Sequence, residues 1–142
     1  MRRMDWEARL KAVIAKHIAA PGKWGRSDCW CMACDAYKAV TGKALLPHLR
    51  KYSSEAGGYR LFKKHGFSTV GEALASVLPE VNRLSAMRGD LATIIRDGVE
   101  SCGVVTSRGL EVKTLYGEGR TITHSAVEVY PVTAINKAFR VE

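Results

Sequence analysis

Apolar side chains in the opening segment recur at the period of an α-helix. The steps between them are four, three, one and three residues, so they form a stripe along one face of the predicted helix. Pro21 and Gly22 end this helix, because neither residue continues helical backbone well. The stripe consists of Trp6, Leu10, Val13, Ile14 and His17.

A second helix is predicted to begin near Cys29 and to stop at Thr41 and Gly42. Ser27 or Asp28 caps its first turn, because a side-chain oxygen there can accept hydrogen bonds from the free backbone N–H groups. Apolar residues point in nearly every direction around this helix, which is typical of a helix buried on most of its sides. We therefore predict that it is the central helix of the domain.

The pattern changes from helices to short strands after Gly89. Residues 44–58 are predicted to form a loop, followed by a short helix over about Tyr59–His65 and another near Val70–Leu78. Helices first and strands afterwards are typical of an α+β fold, in which helices pack on one face of an antiparallel sheet. The predicted strands are Leu91–Ile95, Cys102–Thr106, Leu110–Thr114, Ala126–Tyr130 and about Lys137–Val141.

Length and composition indicate one globular domain over residues 1–142. Hydrophobic residues make up 46% of the chain and charged residues 25%, which is ordinary for a globular protein. The predicted parts are an amphipathic helix at 1–20, a helical half at 24–85 and the sheet at 89–142. No apolar run approaches the roughly 20 residues of a spanning helix, and charges interrupt the opening segment too often for a signal peptide. We therefore predict no transmembrane segment and a chain made in the cytoplasm.

The net charge of +8 raises the question of a polyanionic partner. The 22 Lys and Arg residues are scattered along the chain, whereas a nucleic-acid footprint usually clusters on one element. The distribution therefore argues against nucleic acid as a partner. It is equally compatible with attraction to acidic polymers, including cell-wall glycans.

Three of the four cysteines, Cys29, Cys31 and Cys34, fall within six positions. Structural zinc usually takes ligands from turns, whereas these three lie inside a predicted helix. Positions 29 and 31 point about 200° apart around a helix, so one ion would reach all three only if the first turn unwound. We therefore predict no metal and no cofactor, and we interpret Cys31 and Cys34 as small hydrophobic core residues.

Cys29 is different because it falls at the beginning of the second helix. Unpaired N–H groups and the positive end of the helix dipole stabilise a thiolate at such a position and lower its pKa. A nucleophile held at a helix start, with a base supplied from elsewhere in the fold, is the arrangement of thiol hydrolases. A reactive thiol and a packed core residue both remain possible interpretations of Cys29 at this point.

Several short motifs together resemble a phage and prophage family of papain-like proteins related to NlpC-type cell-wall cysteine peptidases. The resemblance covers nearly the whole chain from Trp24 onward. It implies a papain-like α+β fold, with a cysteine at the start of the central helix facing a histidine on the sheet. The motifs are Trp24-Gly25 with Asp28-Cys29, Ala39-Val40-Thr41-Gly42, Gly57-Gly58-Tyr59-Arg60, His65-Gly66, Ala86 with Gly89-Asp90, and Phe139-Arg140-Val141.

The resemblance also implies where the catalytic base should stand, and this chain departs from it there. Ser101, two positions before Gly103, occupies the place expected of the histidine, and serine is not a general base near neutral pH. His124 is the only histidine in the strand-rich half. It is predicted two strands away from Ser101, about 10 Å by normal strand spacing. A Cys29–His124 dyad and an exposed His124 in a loop are the alternatives.

Two further residues have roles that the motifs suggest. Asp90 is interpreted as a turn residue before a strand rather than as a catalytic acid. Trp24 is expected to cover the helix start or to pack in the core, and Asp28 to support the thiol.

The expected function follows from the resemblance. It is a tail-tip or tail-assembly component of a phage or gene-transfer particle, assembled in the bacterial cytoplasm and located in the virion tail, whose peptidase-like domain has lost its base. The expected partners are other tail proteins, with peptidoglycan as a further candidate. The alternative is an active thiol hydrolase that cuts cell-wall peptide stems, with Cys29 as nucleophile.

Overall fold

A computed structural model describes residues 1–142 and shows an α+β architecture. The helical half lies first in the chain and the strands follow, as the sequence predicts. Three short 3-10 helices connect the longer elements, at Pro47–Arg50, Arg83–Ser85 and Val132–Ala134. The α-helices are α1 (Trp6–Ala19), α2 (Cys29–Thr41), α3 (Glu55–Lys64) and α4 (Val70–Ala75).

Six strands form one antiparallel sheet in the order β1-β6-β2-β3-β4-β5. Leu91, Val104 and Phe139 share one face of this sheet and pack in the larger hydrophobic cluster with the helices. The opposite face carries a smaller cluster around Ala92 and Val112. The strands are β1 (Glu80–Val81), β2 (Leu91–Arg96), β3 (Val99–Thr106), β4 (Gly109–Glu118), β5 (Thr121–Tyr130) and β6 (Lys137–Phe139).

The α2 helix is the central helix, as predicted. Nine of its residues are buried, including Trp30, Met32 and Val40. Asp28 caps its first turn, and Gly42 ends it with φ of 79°, a left-handed conformation that glycine adopts without steric cost. The packing of α2 against α1 and β3 therefore places the first residue of the helix, Cys29, over the sheet.

The predicted loop at residues 44–58 is wrong in its second part. Helix α3 begins at Glu55, because the Ser54 side chain accepts a hydrogen bond from the Gly57 N–H and caps the first turn. The sequence does not predict this first turn, because Gly57 and Gly58 are unfavourable in a helix interior. A Cβ at Gly58 would lie 3.3 Å from the Tyr52 ring, so close packing favours glycine here.

Element lengths also differ from the prediction. Helix α4 ends at Ala75 rather than Leu78, and the last strand ends at Phe139 rather than Val141. The β4 and β5 strands are each ten residues long, about twice the predicted length, because their pairing continues to Glu118 and Thr121. The two-residue strand β1 escaped prediction, since it depends on pairing with β6.

The pairing between β3 and β4 is short, and this positions the candidate site. The β3 strand pairs with β2 from Val99 to Val104 but with β4 only from Val104 to Thr106. Gly103 lies next to the paired part, and only glycine fits there, because a Cβ would overlap the Glu111 carbonyl oxygen. Beyond it the two strands leave room for the start of α2, where Cys29 packs against both hydrophobic clusters.

No helix in residues 1–142 has the length and apolar character that crossing a membrane requires. The sequence-based prediction of no transmembrane segment agrees with this finding.

Candidate functional site

Cys29 is the first residue of α2 and lies half-buried in the wall of two adjoining cavities. The larger cavity has a volume of about 290 Å³ and the smaller one about 180 Å³. Trp24, Asp28 and Ser101 line both of them. The structure therefore brings together four of the five residues that the sequence singles out, at the opening between β3 and β4.

Asp28 holds the approach to the helix in place. Its Oδ1 accepts from the Cys31 N–H at 2.8 Å, and its Oδ2 accepts from the Gly25 N–H at 2.8 Å and from the Tyr52 hydroxyl at 2.6 Å. The carboxylate itself is buried. Burial and the neighbouring Asp28 charge raise the pKa of Tyr52, so this hydroxyl stays protonated and donates. Asp28 thus fixes the geometry of the helix start.

The Cys29 thiol differs electrostatically from the other cysteines. Hydrogen bonding from the Cys102 thiol of β3 lowers the pKa of Cys29, and it outweighs burial and the nearby Asp28 charge, which act in the opposite direction. The same contact, together with burial, raises the pKa of Cys102. Cys29 is therefore the member of the pair that ionises, and the largest cause is Cys102 rather than the helix start that the sequence analysis considered.

Cys31 and Cys34 behave as core residues, as predicted. Both are buried. Burial raises the pKa of Cys31 to about 12 and also raises that of Cys34. Neither thiol is available as a thiolate near neutral pH.

His124 lies away from Cys29. It is exposed on β5 and stacks on Tyr116 with a ring separation of 4.4 Å, and it lines neither cavity. The remaining histidines do not replace it. His48 and His65 contact each other at 4.7 Å between ring centroids, and His17 is buried in α1. The two cavity walls therefore contain no imidazole.

His17 packs on the apolar stripe, as predicted, but both of its ring nitrogens are also hydrogen-bonded. Nδ1 lies 2.8 Å from the Ser27 hydroxyl, and Nε2 lies 2.8 Å from the Asp35 carboxylate. Arg50 donates to the other oxygen of Asp35 at 2.7 Å. This chain of side chains connects α1, α2 and the first 3-10 helix.

Charged residues that the sequence analysis missed also line the site. Glu55 borders both cavities, and Glu100 borders the larger one, where it accepts from the Gly71 N–H. Arg96 borders the smaller cavity, and its guanidinium contacts the Glu128 carboxylate and the Tyr116 and Tyr130 hydroxyls at 3.0–3.1 Å. Glu55, Glu100 and Arg96 come from three different elements, α3, β3 and β2, so no local sequence signal brings them together.

The structure concentrates positive charge that is scattered in the sequence. A broad groove joins the Cys29 cavity at Trp24 and Tyr52, which line both. Four exposed cations border it, and none of them forms an ion pair within 4.0 Å. They are Lys16, Lys23, Arg26 and Lys51.

No group of three or more His, Cys, Asp or Glu side chains is arranged to hold a metal ion. The spacing of Cys29, Cys31 and Cys34 around α2 explains why these cysteines do not converge, because successive helical positions point in different directions.

Comparison with known proteins gives one result. Neither the curated proteins nor the solved structures include a significant match to this chain. A family model, described as a domain of unknown function (DUF6950), matches residues 1–141. Because this match spans nearly the whole sequence, including Cys29, Ser101 and every element of the fold, the chain belongs to the DUF6950 family.

Proposed function

We propose that this chain is a papain-like component of a phage or gene-transfer-particle tail, whose peptidase-like site has lost its catalytic base. The observation that carries this proposal is the shared cavity wall of Cys29 and Ser101. A cysteine at the start of a buried helix, opposite a strand of an antiparallel sheet, is the arrangement that the resemblance implies. Ser101 is then the position from which a histidine would face the thiol.

The absence of an imidazole from both cavity walls favours a structural role over catalysis. A cysteine hydrolase needs a group that protonates the leaving amine, and histidine is suited to this near neutral pH. Serine does not exchange protons in that range. The Cys102 thiol does not replace histidine either, since hydrogen bonding to Cys29 and burial raise its pKa.

The surroundings of the site fit a tail protein that meets the cell wall. Aromatic residues including Trp24, Tyr52 and Tyr59 line the larger cavity, and the neighbouring groove carries four unpaired cations. Cell-wall polymers offer sugar rings for aromatic contact and negative charge for the cations. Peptidoglycan and neighbouring tail subunits are therefore the partners that we propose.

The test is a Cys29→Ala substitution in a phage that encodes this chain. We expect the chain to be present in purified particles, and we expect particle assembly and infectivity to be unchanged. The reason is that the proposed role depends on the folded domain and not on the thiol. Mass spectrometry of particles and plaque counts measure the two outcomes.

Trp30→Ala is the matched control, because it removes a buried side chain that packs edge-on against Phe62 at 5.0 Å. It should reduce assembly and so show that the assay depends on this domain. Fully assembled Cys29→Ala particles that cannot infect would contradict the structural proposal, and a chain absent from wild-type particles would contradict the location.

The second candidate is an active thiol hydrolase that cleaves cell-wall peptide stems. The observation in its favour is the lowered pKa of Cys29 at a helix start, next to an accessible cavity. Free N–H groups of the first turn would stabilise the oxyanion. Loss of infectivity in assembled Cys29→Ala particles is the result that this candidate predicts.

A further inference from the structure

Cys102 lies directly beneath the start of α2. Its sulfur is 3.6 Å from the Cys29 carbonyl oxygen, although the two residues are 73 positions apart in the chain. Cys102 is fully buried in the sheet, one residue after Ser101, which lines the cavity. The fold therefore places the Cys102 thiol against the backbone of the residue whose own thiol lies at the cavity wall.

The two thiols have different chemical characters. Hydrogen bonding from Cys102 lowers the pKa of Cys29, while the same contact and burial raise the pKa of Cys102. The Cys29 sulfur is thus the nucleophile, and the Cys102 thiol stays protonated. Low-pKa, accessible cysteines next to a second thiol are the ones that oxidise reversibly.

The other two cysteines lack these features. Cys31 and Cys34 are buried, and burial raises the pKa of both. Neither of them lines the larger cavity, which is wide enough to admit a small oxidant such as hydrogen peroxide. Oxidation should therefore select Cys29.

We infer that Cys29 and Cys102 form a reversible redox pair, in which peroxide oxidises Cys29 and Cys102 then closes a disulfide with it. In the first step the Cys29 thiolate attacks a peroxide oxygen. The O–O bond breaks, Cys29 becomes a sulfenic acid, and the departing hydroxide takes a proton to form water. In the second step Cys102 loses its proton, its sulfur attacks the Cys29 sulfur, and the sulfenic oxygen leaves as water.

The electron balance is simple, because the two thiols supply the two electrons that reduce the peroxide. A dithiol reductant reverses the reaction by thiol–disulfide exchange. This inference goes beyond the proposed tail function and does not depend on it. As a consequence, oxidation converts the Cys29 thiolate into a disulfide and protects it from oxidation to the sulfinic acid.

The experiment uses the purified, reduced full-length chain and hydrogen peroxide. We expect the intact mass to fall by two hydrogen atoms and peptide mapping to show a Cys29–Cys102 link that dithiothreitol removes. Cys102→Ser should instead stop at the sulfenic acid, so labelling with dimedone should be at least about tenfold higher than in the wild type.

Cys31→Ala and Cys34→Ala are the matched controls and should still form the Cys29–Cys102 link. Two results would overturn the inference: a disulfide that joins any other pair, or oxidation of the wild type without a disulfide. Peptide mapping of the wild type alone gives this answer, so the test stands even if Cys102→Ser does not fold.

Discussion

Ser101 of β3 lies in the wall of the Cys29 cavity. Its hydroxyl is neither an acid nor a base near neutral pH. The neighbouring residue, Cys102, faces the helices instead and contacts the backbone of Cys29. Successive side chains of a strand point to opposite faces of the sheet, so Ser101 and Cys102 approach Cys29 from different sides. Ser101 faces the cavity, and Cys102 contacts the Cys29 backbone from the side of the helices.

A Ser101→His substitution should restore the missing base if the site is papain-like. We expect the variant to release peptides from purified peptidoglycan, with a rate about a hundredfold above that of the wild type, because a positioned imidazole contributes that much to proton transfer. Release of new amino groups is the measurement. The half-buried position beside two cavities offers room for the ring.

Two controls accompany this variant. Ser101→Ala should behave as the wild type, and Ser101→His combined with Cys29→Ala should be inactive. No gain of hydrolysis in a folded Ser101→His protein would count against the papain-like interpretation of this cavity.

Helix α2 is the element on which the site depends, and Asp28 fixes its first turn. One carboxylate accepts from two backbone N–H groups and from the Tyr52 hydroxyl. It therefore joins the loop after α1, the helix start and the segment before α3. Asp28, which the sequence identifies only as a helix cap, also connects three segments of the fold.

Asp28→Ala should lower the free energy of unfolding by about 3 kcal/mol, since it removes the cap and leaves three donors without an acceptor. Urea denaturation followed by circular dichroism measures the change. Asp5→Ala is the control, because Asp5 precedes α1 without a side-chain cap and its carboxylate is exposed. Equal losses in the two variants would show that the Asp28 contacts are unimportant.

At the scale of elements, the sequence predicts those features that depend only on residues close together in the chain. The start of α2, its cap and its end follow from neighbouring side chains, and the strand-rich half follows from turns and alternation. Helix α3 was predicted to begin four residues too late, because Gly57 and Gly58 oppose helix formation locally and only packing against Tyr52 explains them.

The site was predictable only in its local part. Asp28 and Cys29 are adjacent in sequence, whereas Glu55 and Arg96 reach the cavity, and Cys102 reaches the Cys29 backbone, through tertiary packing. The position of His124 illustrates the same limit, since strand spacing alone left a dyad open. The register of β5 instead pairs His124 with Tyr116, and the two rings stack.

At the scale of the whole molecule, Asp90 connects distant parts of the chain. It does form a turn, as predicted, but its buried carboxylate also accepts from the side chains of Arg2 and Arg140 at 3.1 Å and from the Val141 N–H at 3.0 Å. Arg2 in turn donates to the Val141 carbonyl. The segment before α1 and the segment after β6 are thus held at one point, just before β2 begins.

Asp90→Asn should destabilise the fold by about 3 kcal/mol, because an amide cannot satisfy this set of donors and leaves two guanidinium groups without a counter-charge. Chemical denaturation measures the loss. Glu7→Gln is the control, since it removes only an exposed 3.5 Å contact with Arg88. A stable Asp90→Asn protein would show that the ion pairs contribute little.

This arrangement has a consequence for how the domain can be attached to anything else. Asp90 precedes β2, and the turn after β2 borders the Cys29 cavity, so the two sites are about 20 Å apart along one extended strand. A tether joined at either terminus should therefore leave the domain at the end of β2 opposite the cavity.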